Sequence, residues 1–239
     1  MTGVSGALSP PDRPLGVEPL GPPTALTSVA EQVFGLGLER ARVYASWLAG
    51  AAITRGLLGP AERPRLWERH LLNAAVLSEL VPSASRVLDV GSGAGLPGIA
   101  LALARPDLDV TLLEPALRRV RFLQECLADL ELPNVRVERA RAEHCHGRLR
   151  ADVVTARAVA PLSRLVPVAM PLVAAGGALL AIKGSTAAVE ISDARSVLRV
   201  YAATACVLEC GTGVLPQPTT VVRIVFTNPT TARRRGTGR

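Results

Sequence analysis

The chain has 239 residues, 49% of them hydrophobic, 20% charged and only 3% aromatic. That length suits one globular domain with an extension, and so few rings argue against reading nucleic-acid bases by a row of stacking side chains. The formal net charge is +7, concentrated in residues 151–239 and in the tail arginines Arg233, Arg234, Arg235 and Arg239. A basic balance fits a polyanionic partner. Lys183 is the only lysine, so part of the arginine excess is compositional and charge alone does not select RNA or DNA.

In chain order, residues 1–24 hold Pro10-Pro11, Pro14, Pro19 and Pro22-Pro23 with few apolar anchors, and are expected to be a disordered leader. Residues 25–82 read as helical. Val29, Val33, Leu36 and Arg40 give one face and Val43, Trp47, Leu48 and Ala51 a second. Leu66, Trp67, His70, Leu71, Ala74 and Leu77 give a third, closer to 3.6 spacing. Pro82 and Ser83 end this region.

The texture then changes. Over residues 83–228, short β-type runs at 86–90, 110–114, 135–138, 151–155 and 178–182 alternate with helical runs at 98–104, 116–130, 162–173 and 187–200. A late pair, 204–210 and 219–227, reads as a hairpin around Pro216-Gln217-Pro218. Alternating βα units predict an α/β fold with a parallel sheet, right-handed crossovers and a C-terminal antiparallel hairpin, preceded by a helical cap. Residues 229–239 read as a basic disordered tail.

Three features bear on location. Mean hydropathy is +0.30, and Leu165–Ile182 is uncharged. Its length approaches that of a membrane span, but Pro167, Pro171 and Gly176-Gly177 interrupt it. A buried helix, a turn at the glycines and a buried strand fit better. No basic, apolar N-terminal signal pattern is evident. Cys126, Cys145, Cys206 and Cys210 form no C-x-x-C pair, and His144-Cys145-His146 has no second cluster at zinc spacing. Reduced thiols, no metal and a cytoplasmic location are expected.

The informative stretch is Asp89-Val90-Gly91-Ser92-Gly93-Ala94-Gly95-Leu96-Pro97-Gly98, between a strand and a helix. Glycines there allow a tight turn and close backbone approach to a ligand, and free N–H groups at a helix start attract an anionic group. Pro97 suits the first helical turn. Gly93 to Gly98 satisfies the dinucleotide pattern G-x-G-x-x-G, and Glu114 ends the next strand, as a dehydrogenase would need. That match begins three residues past Val90, however. The register Asp-x-Gly-x-Gly-x-Gly from Asp89 fits better, and it resembles the first motif of class I S-adenosylmethionine-dependent methyltransferases.

The run Gly-x-Gly-x-Gly-Leu-Pro-Gly at 91–98 resembles that of the bacterial 16S ribosomal RNA guanine-N7 methyltransferases, the RsmG (GidB) family. Four further stretches match in order: Arg69-His70; Thr111 to Glu114 followed by Arg119 to Leu123; Arg157-Ala158 with Ala160; and Ala181-Ile182-Lys183-Gly184. The resemblance spans roughly residues 40–227. Asn73-Ala74 stands where the family has Asp-Ser, and Ile53-Thr54-Arg55-Gly56 lies where Asn-Leu-Thr is usual, so the substrate-side cap departs from the pattern.

The resemblance implies a Rossmann-like fold, S-adenosylmethionine as cofactor, and methylation of a guanine at N7, of the 527 type in the 530 loop, in 16S RNA, free or in the 30S subunit or an assembly intermediate. It implies that Gly91, Gly93 and Leu96 line the cofactor pocket and that Glu114 binds the ribose hydroxyls. Ala142 and Glu143 would meet the adenine. Arg157 would stand where cofactor and base meet, as the catalytic side chain, with Arg69, His70 and Lys183 at the RNA. Bland alternatives stay open: a surface ion pair for Arg157, solvation for Glu143, helix packing for His70, strand capping for Lys183, and core packing for Trp47 and Trp67. The rival functions are a small-molecule methyltransferase, a non-catalytic RNA-binding protein on the same fold, and the dehydrogenase.

Overall fold

The computed structural model describes residues 19–227; the expected tail, and the leader as far as residue 18, lie outside the described residues. The leader expectation is too long. Leu20 donates its N–H to Ser46 Oγ (2.8 Å) and accepts the Trp67 indole N–H at its carbonyl (3.0 Å), so the chain is tied to the helical cap from there.

The cap begins with a 3₁₀ turn at Thr24–Leu26, followed by α1 (Thr27–Phe34) and α2 (Leu38–Trp47), which continues as a wider π-helical turn over Leu48–Ala52. A 3₁₀ segment (Pro60–Arg65), a π-helical one (Leu66–Leu72), α3 (Asn73–Ala75) and a 3₁₀ turn (Val76–Leu80) complete it. The third helical face is buried as the spacing predicts, from Leu66 to Leu77. The first face is rotated: Ala30, Phe34 and Leu38 point inward, whereas Leu36 is fully exposed. The second is wider than expected, since Ala41, Tyr44 and Ala45 are buried alongside Trp47 and Leu48. Gly35, at φ 48°, ends α1. Gly37 lies so near Leu103 that a Cβ there would stand 2.1 Å from the Leu103 carbonyl oxygen. The chain therefore kinks where continuous helical spacing assumed it ran straight.

The sheet alternates with helices: β1 (Arg86–Val90), α4 (Gly98–Ala104), β2 (Asp109–Leu113), α5 (Leu117–Leu130), β3 (Val135–Glu138), β4 (Ala151–Arg157), α6 (Leu162–Ala169), β5 (Val173–Ile182), α7 (Ala187–Asp193), α8 (Arg195–Val200), β6 (Ala203–Cys210) and β7 (Thr219–Phe226). The strand order is β3-β2-β1-β4-β5-β7-β6. The first five strands are parallel, and β7 runs antiparallel to β5 and β6. The order reverses between β1 and β4, which opens a crevice at their carboxyl ends. Side chains alternate between two cores, as strand geometry requires. Val87, Val110, Leu112 and Val153 meet α4, α5 and the cap. Leu88, Val90, Val154 and Leu179 meet α6 and α8.

Two expected elements differ. Gly176-Gly177 is not a turn before a strand but a bulge within β5: Val173 already pairs with Ala151, and the register then jumps so that Ala178 faces Val153. Gly176 has φ 80°, and a Cβ on Gly177 would lie 2.4 Å from the Asp152 carbonyl oxygen. Glycine lets the strand leave and rejoin the ladder. The helix expected over 187–200 bends at Ala194 (φ −87°, ψ 1°), which is fully buried, so that both halves stay against the sheet. Trp47 and Trp67 are core residues. Among the described residues no helix is long and apolar enough to cross a membrane.

The cap grips both ends of the sheet order. On α5, Trp47 donates to Asp129 (2.9 Å) and packs edge-on against Phe122, and Arg55 pairs with Glu125. At the far end, Thr219 donates to the Asn73 carbonyl (3.0 Å), and the Gly211 N–H is held by the Glu79 carboxylate. The departure at Asn73 thus sits on a backbone contact that does not depend on its side chain.

Candidate active site

The loop between β1 and α4 is folded by its own glycines. Gly91, Gly93 and Gly95 have φ of 69°, 59° and 97°, a region that L side chains seldom adopt. Gly98 is there for space, because a Cβ would meet Leu112 at 2.3 Å and Asp89 Oδ2 at 2.9 Å. α4 starts at Gly98, and the preceding Leu96–Pro97 peptide is cis.

Asp89 is the loop's internal strut. It is completely buried; Oδ2 accepts the Gly98 N–H (3.1 Å) and Oδ1 the Thr155 hydroxyl (3.2 Å), while Ser92 donates to its backbone carbonyl. Burial raises its pKa to about 6, against the opposing pull of the Gly98, Ser92 and Thr155 hydrogen bonds and of Arg157. A folded-state value above the usual 3.8 means that the protonated form stabilises the fold. This contribution is complete below about 3.8 and is lost as pH rises through about 6. Asp89→Asn removes the charge but can still accept from Gly98 and donate to Thr155. Its melting temperature relative to the unsubstituted protein should therefore climb by several degrees between pH 4.5 and 7.5, from an effect on the order of 2 kcal/mol over that window. A difference that does not change with pH would show that Asp89 does not titrate there.

From above, Tyr44 of α2 donates its hydroxyl to the Ala94 carbonyl (2.9 Å) and lies 3.0 Å from where a Cβ on Gly95 would stand. The cap thus clamps the loop from a position that sequence spacing did not single out.

Glu114 follows β2 and is 1% exposed. Its Oε2 accepts the Gly93 N–H (3.0 Å) and its Oε1 the Ala116 N–H (2.9 Å), with Arg119 3.6 Å away. Each carboxylate oxygen has further acceptor capacity. A Cβ built on Gly93 would meet nothing nearer than 3.8 Å, so bare backbone faces open space beside an oriented carboxylate. These residues could hold a ligand that offers paired hydroxyls. Leu96 is buried, as is Ala142 in the 3₁₀ turn Ala142–Cys145 after β3, whereas Glu143 of that turn is exposed.

Arg157 ends β4, half-buried, with Nη2 donating to His70 Nδ1 and Nη1 3.5 Å from the His70 carbonyl. No carboxylate among the described residues forms an ion pair with it, so it is not the surface ion-pair partner of the bland alternative. Arg69 is exposed, while His70 is buried against Glu62 (2.8 Å). Lys183 is turned inward: Nζ donates to the Ala160 carbonyl (2.8 Å) and to Glu190 (2.7 Å), which in turn accepts the Leu162 N–H. Lys183 therefore ties down the loop after Arg157. Among the described residues no group of three metal-ligating side chains converges. Cys145 is buried, and His146 Nε2 lies 2.9 Å from the Val168 carbonyl.

Known proteins resemble this chain in sequence and fold. Residues 37–214 match the family model GidB, described as rRNA small subunit methyltransferase G. The chain belongs to this family. It is 54% identical over 202 residues to the ribosomal RNA small subunit methyltransferase G of Thermobifida fusca, covering 84% of this chain and 85% of that one. It is 52% identical over 201 residues to the enzyme of that name from Mycobacterium marinum, covering 82% and 88%. Among solved structures, a ribosomal protein L11 methylase from Lactobacillus delbrueckii superposes with a TM-score of 0.51 at 15% identity, over 66% of this chain and 79% of that one. A precorrin-6y C5,15-methyltransferase from Geobacter metallireducens gives 0.50 at 15% identity, over 65% and 88%. The fold that the family shares with them is the class I methyltransferase fold, as the glycine-loop register implied, and not that of a dinucleotide dehydrogenase.

Proposed function

We propose that the protein transfers the methyl group of S-adenosylmethionine to N7 of a guanine of the 527 type in 16S ribosomal RNA, in the cytoplasm. The observation that carries this reading is the Glu114 carboxylate beside the bare Gly93 backbone at the carboxyl ends of β1 and β2, in a chain of the small-subunit RNA methyltransferase family.

Glu114 accepts the two ribose hydroxyls, the fit that its remaining acceptor sites allow. Gly91, Gly93 and Leu96 line the amino-acid side of the pocket. The Ala142 backbone N–H and the Glu143 side chain read the adenine edge. When bound, S-adenosylmethionine supplies an activated methyl group. Guanine N7 carries an in-plane lone pair and no proton, so no side chain has to remove one before transfer. The residues of this chain are left with alignment, which can supply roughly 7–11 kcal/mol. Arg157 provides it by directing N–H donors at the base or an adjoining phosphate from a half-buried position. Arg69, exposed on the cap, offers its guanidinium to an RNA phosphate. His70 and Lys183 act from inside, through Arg157 and the loop that follows it.

The test is incubation with labelled S-adenosylmethionine and either 16S RNA or 30S particles lacking the modification, followed by mapping of the product. Label on N7 of that one guanine is the expected result. Label on another nucleotide, on a small metabolite only, or on none of the supplied RNA would overturn the reading. The comparison of free RNA with 30S particles identifies the substrate form.

A further inference from the structure

Arg157 has a feature that the proposed alignment role does not itself require. Its guanidinium is held not by a carboxylate but by the ring of a buried histidine, which a carboxylate holds from the other side. A guanidinium has donors only. Because Arg157 Nη2 donates to His70 Nδ1, Nδ1 must be the lone-pair nitrogen. The proton is therefore on Nε2, which lies 2.8 Å from Glu62 Oε2 and donates to it. Three stretches meet in this chain: the 3₁₀ segment Pro60–Arg65, the π-helical segment Leu66–Leu72 and the end of β4. The first two belong to the cap and the third to the catalytic sheet.

We propose that Glu62 and His70 form a positioning relay for Arg157: Glu62 holds the imidazole in the Nε2–H form, and the free Nδ1 lone pair fixes where the guanidinium points. The proposal rests on the reading of Arg157 as the side chain that meets the base. A histidine protonated on both nitrogens would turn an N–H toward the guanidinium and break the relay. The surroundings resist this. Burial and the Arg157 charge lower the pKa of His70 below its ordinary 6.5; Glu62 opposes them and Arg69 adds to them. Tyr44 and Asp89 are the other titratable groups that face Arg157. Asp89 titrates near 6, so the pH profile of the reaction holds two contributions that have to be separated.

Substitution separates them. An asparagine at position 70 places an acceptor near the Nδ1 position, whereas a glutamine places its amide nearer the Nε2 position. His70→Asn is expected to keep kcat for RNA methylation within about threefold. His70→Gln and His70→Ala should lower it about ten-fold or more, since a displaced aligning group is that costly, with KM for S-adenosylmethionine unchanged. A packing role would give the opposite order, with the larger glutamine tolerated better than asparagine. Glu62→Gln removes the charge that favours the imidazolium and should move the acid limb of kcat to lower pH. In a His70→Asn background the same change should move nothing, whereas the Asp89 contribution survives in both.

Arg157→Ala serves as the reference. If it leaves kcat unchanged, the reading of Arg157 fails. If it lowers kcat while His70→Gln does not, or while Glu62→Gln leaves the acid limb in place, the relay alone is overturned. Calorimetric binding of S-adenosylhomocysteine reports whether each variant is folded. Should His70→Gln fail to bind, the shift in Glu62→Gln decides.

Discussion

Glu114→Gln is expected to weaken S-adenosylhomocysteine binding by on the order of a hundred-fold in calorimetry. The substitution conserves volume and changes chemistry. The carboxylate accepts from Gly93 on one oxygen and from Ala116 on the other. A carboxamide has one oxygen, so its NH₂ group must face one of those N–H donors. The ligand then loses part of a charged acceptor for its hydroxyls, and hydrogen bonds to charged groups contribute about 1.5–3 kcal/mol each. The glycine loop loosens as well, because Glu114 ties β2 to it across 21 residues of sequence. Helical circular dichroism should stay unchanged, since both cores lie outside this contact. Unchanged affinity would mean that the carboxylate is a loop fastener only, and the cofactor assignment would lose its anchor.

Arg157→Ala is expected to lower single-turnover methyl transfer about a hundred-fold with RNA and S-adenosylmethionine both saturating, the scale of loss when a group that orients the reactants is removed. Binding of S-adenosylhomocysteine should change little, because the Glu114 side of the crevice is untouched. Arg157 forms no ion pair among the described residues, so the deletion breaks none, although it removes a charge that favours the ionised form of buried Asp89. What it does free is the His70 ring, still bonded to Glu62. A rate equal to that of the unsubstituted protein would exclude Arg157 from the chemistry, whatever its burial. A loss confined to the apparent RNA affinity would recast it as a docking contact.

The parts of the molecule legible in the sequence were those determined by neighbours in the chain. The glycine loop from Asp89 to Gly98 carries its turn requirements locally, since the positive φ at Gly91, Gly93 and Gly95 disfavours other residues at those positions. Glu114 follows from the length of one βα unit, and the βα alternation predicted the parallel sheet because an apolar run of five residues has few other ways to be buried. The third cap face, Leu66 to Leu77, emerged from its near-3.6 apolar spacing.

The features set by packing involve partners far apart in the chain. Tyr44 reaches Ala94 across 50 residues and His70 reaches Arg157 across 87, and no helical or strand period connects such positions. The kink at Gly35-Leu36-Gly37 broke the first helical face, which runs across it, because a glycine pressed against Leu103 interrupts the spacing that a straight helix would keep. The bulge in β5 needed the carbonyl of Asp152 to explain it. Lys183 looked like a cation for RNA and became an internal tie, since only the folded chain brings Ala160 and Glu190 to its ammonium group. Local residue types were enough to single out the glycine loop. The aim of Arg157 depends on the cap and the sheet closing on each other, and that is a property of the packed molecule.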